Sequence, residues 1–221
     1  MIRPLSLLAP LLLLVAGCGE APPAAAPPAN AAGEGGKAPA AQPQADIVRV
    51  RLETEAGAIV LALDARRAPV TTANFLAYVD QGKFDGITFY RASRTRGAPG
   101  RGFIQGGIRR DPTRTLLPIA HEPTSRTGLS HGDGTISMAR TSPGSATGDF
   151  FITAGPERSM DAGTGRPADN LGYAAFGRVV EGMDTVRRIL AVPTVPNAGV
   201  GAMRGQMIER PVRILTARRA P

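Results

Sequence analysis

Residues 134–140 read GTISMAR and residues 148–152 read GDFFI, and these two runs decide the fold. Both runs start at a glycine and continue mostly with the β-branched, aromatic and methionine side chains that pack well in strands. The residues between them, 141–147, read TSPGSAT, which is typical of a turn or loop. The stretch therefore predicts two short strands joined by a loop.

The sequence around this stretch predicts more strands and two helices. A hairpin is expected at residues 47–52 and 57–63, which alternate around a glycine-bearing turn, and helices are expected at residues 69–79 and 182–190. Other strand patterns lie at residues 88–91, 103–105, 134–139, 149–153, 173–180 and 207–215. Pro211 makes the last strand either an edge or a bulged strand. Together these elements predict a mainly β fold, a closed antiparallel barrel with capped ends.

The first residues have the pattern of an export signal. Arg3 precedes an apolar run at residues 5–15, which is too short to span a bilayer core of ~20 apolar residues. The run ends in LVAGC at residues 14–18, which resembles a bacterial lipobox. This resemblance implies a lipoprotein signal peptide at residues 1–17 and a lipid on Cys18. The alternative is an ordinary cleaved signal in which Cys18 is incidental.

A tether follows the lipidation site. Residues 18–45 are dominated by Ala, Pro and Gly and carry too few large apolar side chains to offset the entropy of ordering them. Extended in polyproline geometry at ~3.1 Å per residue, residues 21–45 would reach roughly 75 Å. One domain at residues 46–221 remains. Glycine at position 19 implies outer-membrane sorting if the source is Gram-negative, so we expect a lipid-anchored, periplasm-facing protein of the cell envelope.

The composition of the chain excludes several kinds of site and partner. Cys18 is the single cysteine, which excludes an intrachain disulfide and a cysteine-cluster metal site. The formal net charge is +8, but the arginines are scattered rather than clustered with aromatic residues, so nucleic acid is not an expected partner. A weak attraction to an anionic membrane surface is the better account of this charge.

Three motifs with catalytic residue types have simpler explanations as turns. Residues 130–133 read SHGD, but neighbours in sequence do not usually converge as nucleophile, base and orienting acid. His121-Glu122 lacks a second histidine at helical spacing, so no zinc site is expected. The glycine-rich residues 97–102 open no helix that could cradle a phosphate.

What remains is a set of apolar side chains and one arginine spread over several strands. Such a set suits a reaction that needs no nucleophile and no proton transfer. Rotation about an X-Pro bond is one, because its barrier of ~18–20 kcal/mol arises from amide resonance. An apolar pocket can hold the proline ring while a fixed cation donates a hydrogen bond to the prolyl nitrogen.

Three motifs that follow one another along the chain relate this chemistry to a known protein family. They are FYR at residues 89–91, FIQGG at residues 103–107, and the stretch at residues 134–152. Together they resemble the cyclophilins, which are peptidyl-prolyl cis-trans isomerases. The resemblance covers nearly the whole domain and implies an eight-stranded barrel capped by two α-helices, with no metal, nucleotide or redox cofactor.

The resemblance also implies roles for individual residues. Arg91 matches the catalytic arginine of the family. The matching substrate contacts are Phe103, Gln105, Met138, Ala139, Arg140, Asp149, Phe151, Met160 and Tyr173. Phe151 would form the floor of the proline pocket and Met160 a wall. Phe103 replaces one of two apolar contacts that the family usually has before the glutamine.

Asp149 departs from the family, which has glutamine at this position. An ionised aspartate accepts hydrogen bonds but cannot donate them. If Asp149 faces the groove, it could pair with Arg91 or Arg140 and compete with the substrate; if it turns away, one donor is lost. Either arrangement predicts reduced but real activity.

The sequence therefore predicts a lipid-anchored isomerase that acts on X-Pro bonds of exported proteins. Its expected partners are proline-containing, unfolded or partly folded polypeptides. The alternative is a non-catalytic peptide-binding or chaperone module on the same barrel.

Overall fold

The computed structural model describes residues 46–221. The predicted signal peptide at residues 1–17 and the tether at residues 18–45 with Cys18 lie outside these residues. The described elements are β1 Ile47–Thr54, β2 Gly57–Asp64, α1 Pro69–Asp80, β3 Thr88–Arg94, β4 Gly102–Gly107, α2 Thr124–Thr127, β5 Thr135–Met138, β6 Phe150–Ala154, β7 Ala174–Glu181, α3 Met183–Ala191, β8 Thr194–Val195 and β9 Met207–Ala220. Within the described residues, no helix has both the length and the apolar character needed to cross a bilayer.

Eight of the strands close into an antiparallel barrel. Their order is β1-β2-β7-β5-β6-β4-β3-β9, and β9 pairs again with β1 to close the ring. The two-residue strand β8 pairs only with the first two residues of β9, Met207 and Ile208. The predicted mainly β, eight-stranded barrel is therefore confirmed. Two helices of the expected length are present at the predicted places, and α2 adds a single helical turn that the sequence pattern did not indicate.

An aromatic cluster fills the barrel under α1. Phe150 of β6 lies 5.3 Å from Phe75, 5.5 Å from Phe84 and 5.9 Å from Phe89, measured between ring centroids. Phe176 of β7 adds a further ring 5.3 Å from Phe75. All five side chains are fully buried. This cluster joins α1 to the three strands β3, β6 and β7 and forms much of the apolar core.

Long-range contacts fix both long helices on the barrel. Glu122 is buried, and its carboxylate accepts hydrogen bonds from the backbone N–H groups of Val70 and Thr71 at 3.2 and 2.8 Å. These are donors that the first turn of a helix cannot satisfy internally. At α3, the Arg94 guanidinium donates to the carbonyls of Leu190 and Val192 at the C-terminal end.

The last strand shows how Pro211 is accommodated. β9 pairs with β1 on one side and β3 on the other, so it is not an edge. Its register shifts sharply, because Phe89 faces Val212 while Arg91 faces Met207. Pro211 lies within this irregular section, where a missing N–H costs no ladder bond. Of the two alternatives from the sequence, the bulged strand is the observed one.

Candidate active site

A β-bulge in β3 turns two neighbouring side chains to the same face. Phe89 pairs with Gly106 and Arg91 with Gln105, so Tyr90 is an extra residue on its strand. Without the bulge, Tyr90 and Arg91 would point to opposite faces. Both line the groove, whereas Phe89 before them points into the core.

The groove lies on strands β3, β4 and β6 and the start of β9, and has a volume of about 890 Å³. Loop residues after β4, β5, β6 and β8 complete its walls. Of the predicted substrate-binding residues, the groove brings together Arg91, Phe103, Gln105, Ala139, Arg140, Asp149, Phe151, Met160 and Tyr173.

Four side chains form an apolar pocket within the groove. The ring of Phe151 lies 5.4 Å from Phe103 and 5.4 Å from Tyr173, the latter edge-on. Phe151 is only 3% exposed, as expected for a pocket floor. The backbone N–H of Tyr173 donates to the carbonyl of Met160 at 2.9 Å, which joins the two remaining walls. The pocket can accept a small apolar ring.

Arg91 lies beside this pocket in a fixed orientation. Its guanidinium carbon is 4.9 Å from the centroid of the Phe103 ring. Nε donates to Oε1 of Gln206 and Nη1 to Oε1 of Gln105, each at 2.8 Å. Burial lowers the pKa of Arg91 from its ordinary value, but an arginine side chain stays protonated in proteins. Among the described residues no carboxylate forms an ion pair with Arg91, so its charge is not neutralised.

A chain of hydrogen bonds runs from Arg91 to Asp149. Gln105 accepts from Arg91 through Oε1 and donates from Nε2 to the Tyr90 hydroxyl at 2.8 Å. The hydroxyl in turn donates to Oδ1 of Asp149 at 3.0 Å. Because an ionised carboxylate only accepts, it fixes the direction of every bond in the chain. Asp149 therefore holds the Gln105 amide with its oxygen toward the arginine.

This arrangement corrects the expectation for Asp149. Its side chain faces the groove, but it pairs with neither Arg91 nor Arg140. Its second partner is the backbone N–H of Arg109, at 3.1 Å. Burial raises the pKa of Asp149 above its usual value, and the bonds from Arg109 and Tyr90 oppose that rise. The aspartate thus does not compete with substrate for the arginine in this structure.

Arg140 has a structural partner of its own. Its Nη1 and Nη2 donate to the two carboxylate oxygens of Asp169 at 2.6 and 2.8 Å, and Nε donates to the carbonyl of Gly172 at 2.9 Å. The bond from Arg140 lowers the pKa of Asp169 to about 2. The guanidinium also stacks on Tyr173 at 5.4 Å. Arg140 therefore fixes the loop that carries the Tyr173 wall.

Met138 is not placed as predicted. Its side chain is 1% exposed and belongs to the barrel core rather than to the groove. Strand alternation explains this, because neighbours in β5 point to opposite faces and Ala139 reaches the groove. The prediction that Met138 contacts substrate is therefore wrong.

His131 takes part in a cluster that lies under the groove. Its Nδ1 and Nε2 are 2.6 Å from Oδ1 of Asp161 and 2.9 Å from Oγ of Ser137, and its ring stacks on Phe151 at 5.8 Å. The residue types are those of a hydrolytic triad, but His131 and Ser137 are both 0% exposed. No substrate reaches them. The cluster therefore supports the pocket floor.

Several groove residues escaped the sequence analysis. Tyr90 was named only as part of a motif, and no sequence pattern indicated that Arg109 and Met207 line the groove or that Gln206 binds Arg91. Gln206 lies 115 residues from Arg91 in sequence, so only the closure of the barrel brings the two together. In residues 46–221, no group of three or more His, Cys, Asp or Glu side chains is arranged to hold a metal ion.

Comparison with known proteins gives this groove a family. The sequence model described as "Cyclophilin type peptidyl-prolyl cis-trans isomerase/CLD" matches residues 49–218. The chain belongs to the cyclophilin-type peptidyl-prolyl cis-trans isomerases. The family and the enzyme class expected from the sequence are thereby confirmed.

Individual cyclophilins extend this result. A peptidyl-prolyl cis-trans isomerase of Streptomyces antibioticus is 40% identical over 151 residues, which are 68% of this chain and 87% of that protein. Peptidyl-prolyl cis-trans isomerase A of Dickeya dadantii is 40% identical over 148 residues, 66% of this chain and 72% of that protein. A solved cyclophilin of Cryptosporidium parvum has the same fold, with a TM-score of 0.62 at 21% identity, covering 79% of this chain and 98% of that one.

The cyclophilin groove offers a direct test of the hydrogen-bond chain. Tyr90→Phe removes the hydroxyl that lowers the pKa of Asp149, so NMR titration of that carboxyl should give a pKa above the wild-type value. Gln105 also loses its acceptor. A neutral hydrogen bond is worth ~0.5–1.5 kcal/mol, so kcat/KM should fall about 2- to 10-fold. Asp149→Asn identifies the titrating signal by its absence, and an unchanged pKa in Tyr90→Phe would show that the chain is not formed in solution.

Proposed function

We propose that Arg91 is the catalytic residue of this isomerase and that the pocket of Phe103, Phe151, Met160 and Tyr173 holds the substrate proline. The observation that carries the proposal is the state of Arg91. It is a cation at the edge of an apolar pocket, oriented by two neutral amides and, within residues 46–221, not paired with a carboxylate.

The mechanism follows from amide chemistry. As the X-Pro bond twists, resonance is lost and the lone pair of the prolyl nitrogen becomes available to a donor. Nη2 of Arg91 has no hydrogen-bond partner in the part of the chain that is described, so it can donate to this nitrogen. The bond forms only when the peptide is twisted, so it stabilises the transition state over the ground state.

The hydrogen bond from Arg91 supplies only part of the rate acceleration. A charged hydrogen bond is worth ~1.5–3 kcal/mol, or about 10- to 150-fold in rate. The remaining acceleration comes from placing the proline ring in a desolvated pocket that accepts the twisted peptide. Uncatalysed isomerisation takes tens to hundreds of seconds, which is slow enough to limit protein folding.

The substrates we propose are exported proteins that fold at the cell envelope. The support lies in the sequence: the pattern of an export signal at residues 1–17, a run resembling a lipobox that ends at Cys18, and an Ala/Pro/Gly-rich segment before the domain. A lipid on Cys18 would hold the domain on the periplasmic side of a membrane, and Gly19 favours the outer one. Tethering would raise the local concentration of isomerase where exported chains emerge.

The isomerase activity is tested on the full chain. NMR exchange spectroscopy on a short proline peptide should show cis-trans exchange accelerated by catalytic amounts of protein. A protein that broadens the peptide signals by binding, without accelerating exchange, would instead be a non-catalytic peptide-binding module.

The membrane anchor is tested by Cys18→Ala in the producing cells. Wild type should incorporate labelled fatty acid and sediment with membranes. Cys18→Ala should lose the label, since no other thiol in the chain can take a lipid. A wild type that incorporates no label would refute the anchor, and Ser6→Ala within the signal serves as the control.

A further inference from the structure

Positive charge dominates the walls of the groove. Five arginines line it, at positions 91, 109, 110, 140 and 166, against the single carboxylate of Asp149. Arg140 is neutralised by Asp169. Asp149 already accepts two hydrogen bonds from the protein. The groove as a whole therefore presents uncompensated cations to a bound peptide.

Two of these cations lie on an unusual turn at one end of the groove. The backbone N–H of Asp111 donates to the carbonyl of Ile108 at 2.9 Å, which closes a turn with Arg109 and Arg110 at its centre. Both arginines have positive φ, 50° and 61°. Such turns strongly prefer Gly, Asn or Asp at these two places, because a larger side chain strains the left-handed backbone.

The turn is also attached to the site. The N–H of Arg109 donates to Asp149, and its guanidinium stacks over the Tyr90 ring at 5.1 Å. Both arginine side chains are exposed, and neither has an ion-pair partner among residues 46–221. Strained residues that persist at a site are often there for function. Here the strain places two free guanidinium groups beside the peptide path.

From this geometry we infer that the groove selects proline peptides with acidic side chains close to the proline, and that Arg109 and Arg110 read the acidic residue. The inference rests on the proposed isomerase function and names its substrate class. Guanidinium groups bind carboxylates through paired hydrogen bonds, and a cleft with one sign of charge raises the local concentration of the opposite sign.

The first measurement compares substrates. NMR exchange needs no coupling protease with its own side-chain preference, so it can rank a proline peptide with alanine flanks against versions with Glu or Lys. Glu at one of the two residues before or after proline should raise kcat/KM about 1.5- to 5-fold at low salt, and Lys should lower it. The preference should vanish near 1 M salt, where the screening length falls to ~3 Å.

The second measurement assigns the preference to the turn. Asn tolerates a left-handed backbone, so the double variant Arg109→Asn/Arg110→Asn removes two charges without adding strain. The ratio of kcat/KM for the Glu and Ala peptides should fall toward one. Arg49→Gln/Arg178→Gln removes the same charge from exposed positions outside the groove, on β1 and β7, and should keep the wild-type ratio.

Each outcome is decisive. Turnover of the alanine peptide without any gain from Glu at the four positions overturns the acidic preference and leaves the isomerase function intact. No turnover of the alanine peptide refutes the proposed function itself. Equal loss of preference in both double variants would mean that net charge, not the turn, attracts the substrate, and would overturn the assignment.

Discussion

Arg91→Ala is expected to lower kcat/KM about 10- to 150-fold with the fold intact. The range is that of one charged hydrogen bond, ~1.5–3 kcal/mol, lost from the transition state. The free energy of unfolding should change by less than about 1.5 kcal/mol, because Gln105 lines the groove and Gln206 is half-buried, so their amide oxygens can bind water instead. Exchange NMR measures the rate, and urea denaturation the stability.

The lysine variant separates charge from geometry. Arg91→Lys keeps a cation but cannot bond both amides and still donate to substrate from a fixed plane, so its activity should lie between those of wild type and alanine. Arg96→Ala, an exposed arginine in the same region of the chain that does not line the groove, is the matched control and should match wild type. Full activity in Arg91→Ala would remove Arg91 from the mechanism.

Phe150→Ala should have the largest effect on stability. The ring is fully buried and packs against Phe75, Phe84 and Phe89. Removing a buried phenylalanine ring costs ~3–5 kcal/mol, from a total of about 5–15 kcal/mol for a typical domain. We expect a midpoint of urea unfolding far below wild type, or failure to accumulate as folded protein. A loss under about 1 kcal/mol would contradict the central place given to this ring.

The neighbouring phenylalanine should respond in the opposite way. Phe151→Leu keeps an apolar side chain on the groove face but removes the ring that contacts Phe103 and Tyr173. The free energy of unfolding should fall by less than about 1.5 kcal/mol. kcat/KM should fall about tenfold, since ~1.4 kcal/mol of pocket contact is lost. Of these two adjacent residues, Phe150 would then contribute mainly to stability and Phe151 mainly to catalysis.

Much of the fold could be predicted from local pattern. The hairpin of β1 and β2, the helices α1 and α3 and the two strands of the opening stretch lie where periodicity and glycine placed them. These elements are decided within a few residues, so their signal is in the sequence. The single turn of α2 has no such signal, because four residues carry no periodicity.

The site could be predicted only as a set of residues on strands. Local pattern offers no sign of the bulge at Tyr90, because a bulge depends on the register between two strands. Met138 shows the same limit: its motif placed it beside the groove, and the alternation of β5 turned it into the core. One of the two partners of Asp149, Arg109, could not be predicted because it donates through a backbone N–H, which almost any residue type provides.

The two runs at residues 134–140 and 148–152 determined two strands of the barrel and, together with the motifs at residues 89–91 and 103–107, indicated the family. These properties depend on side-chain type and short spacing, which the sequence states directly. Only the tertiary structure decided which side chains meet. It paired Arg91 with Gln105 and Gln206, linked Tyr90 to Asp149, and placed two strained arginines at the rim. Such contacts join residues far apart in sequence, and the closure and register of the barrel alone bring them together.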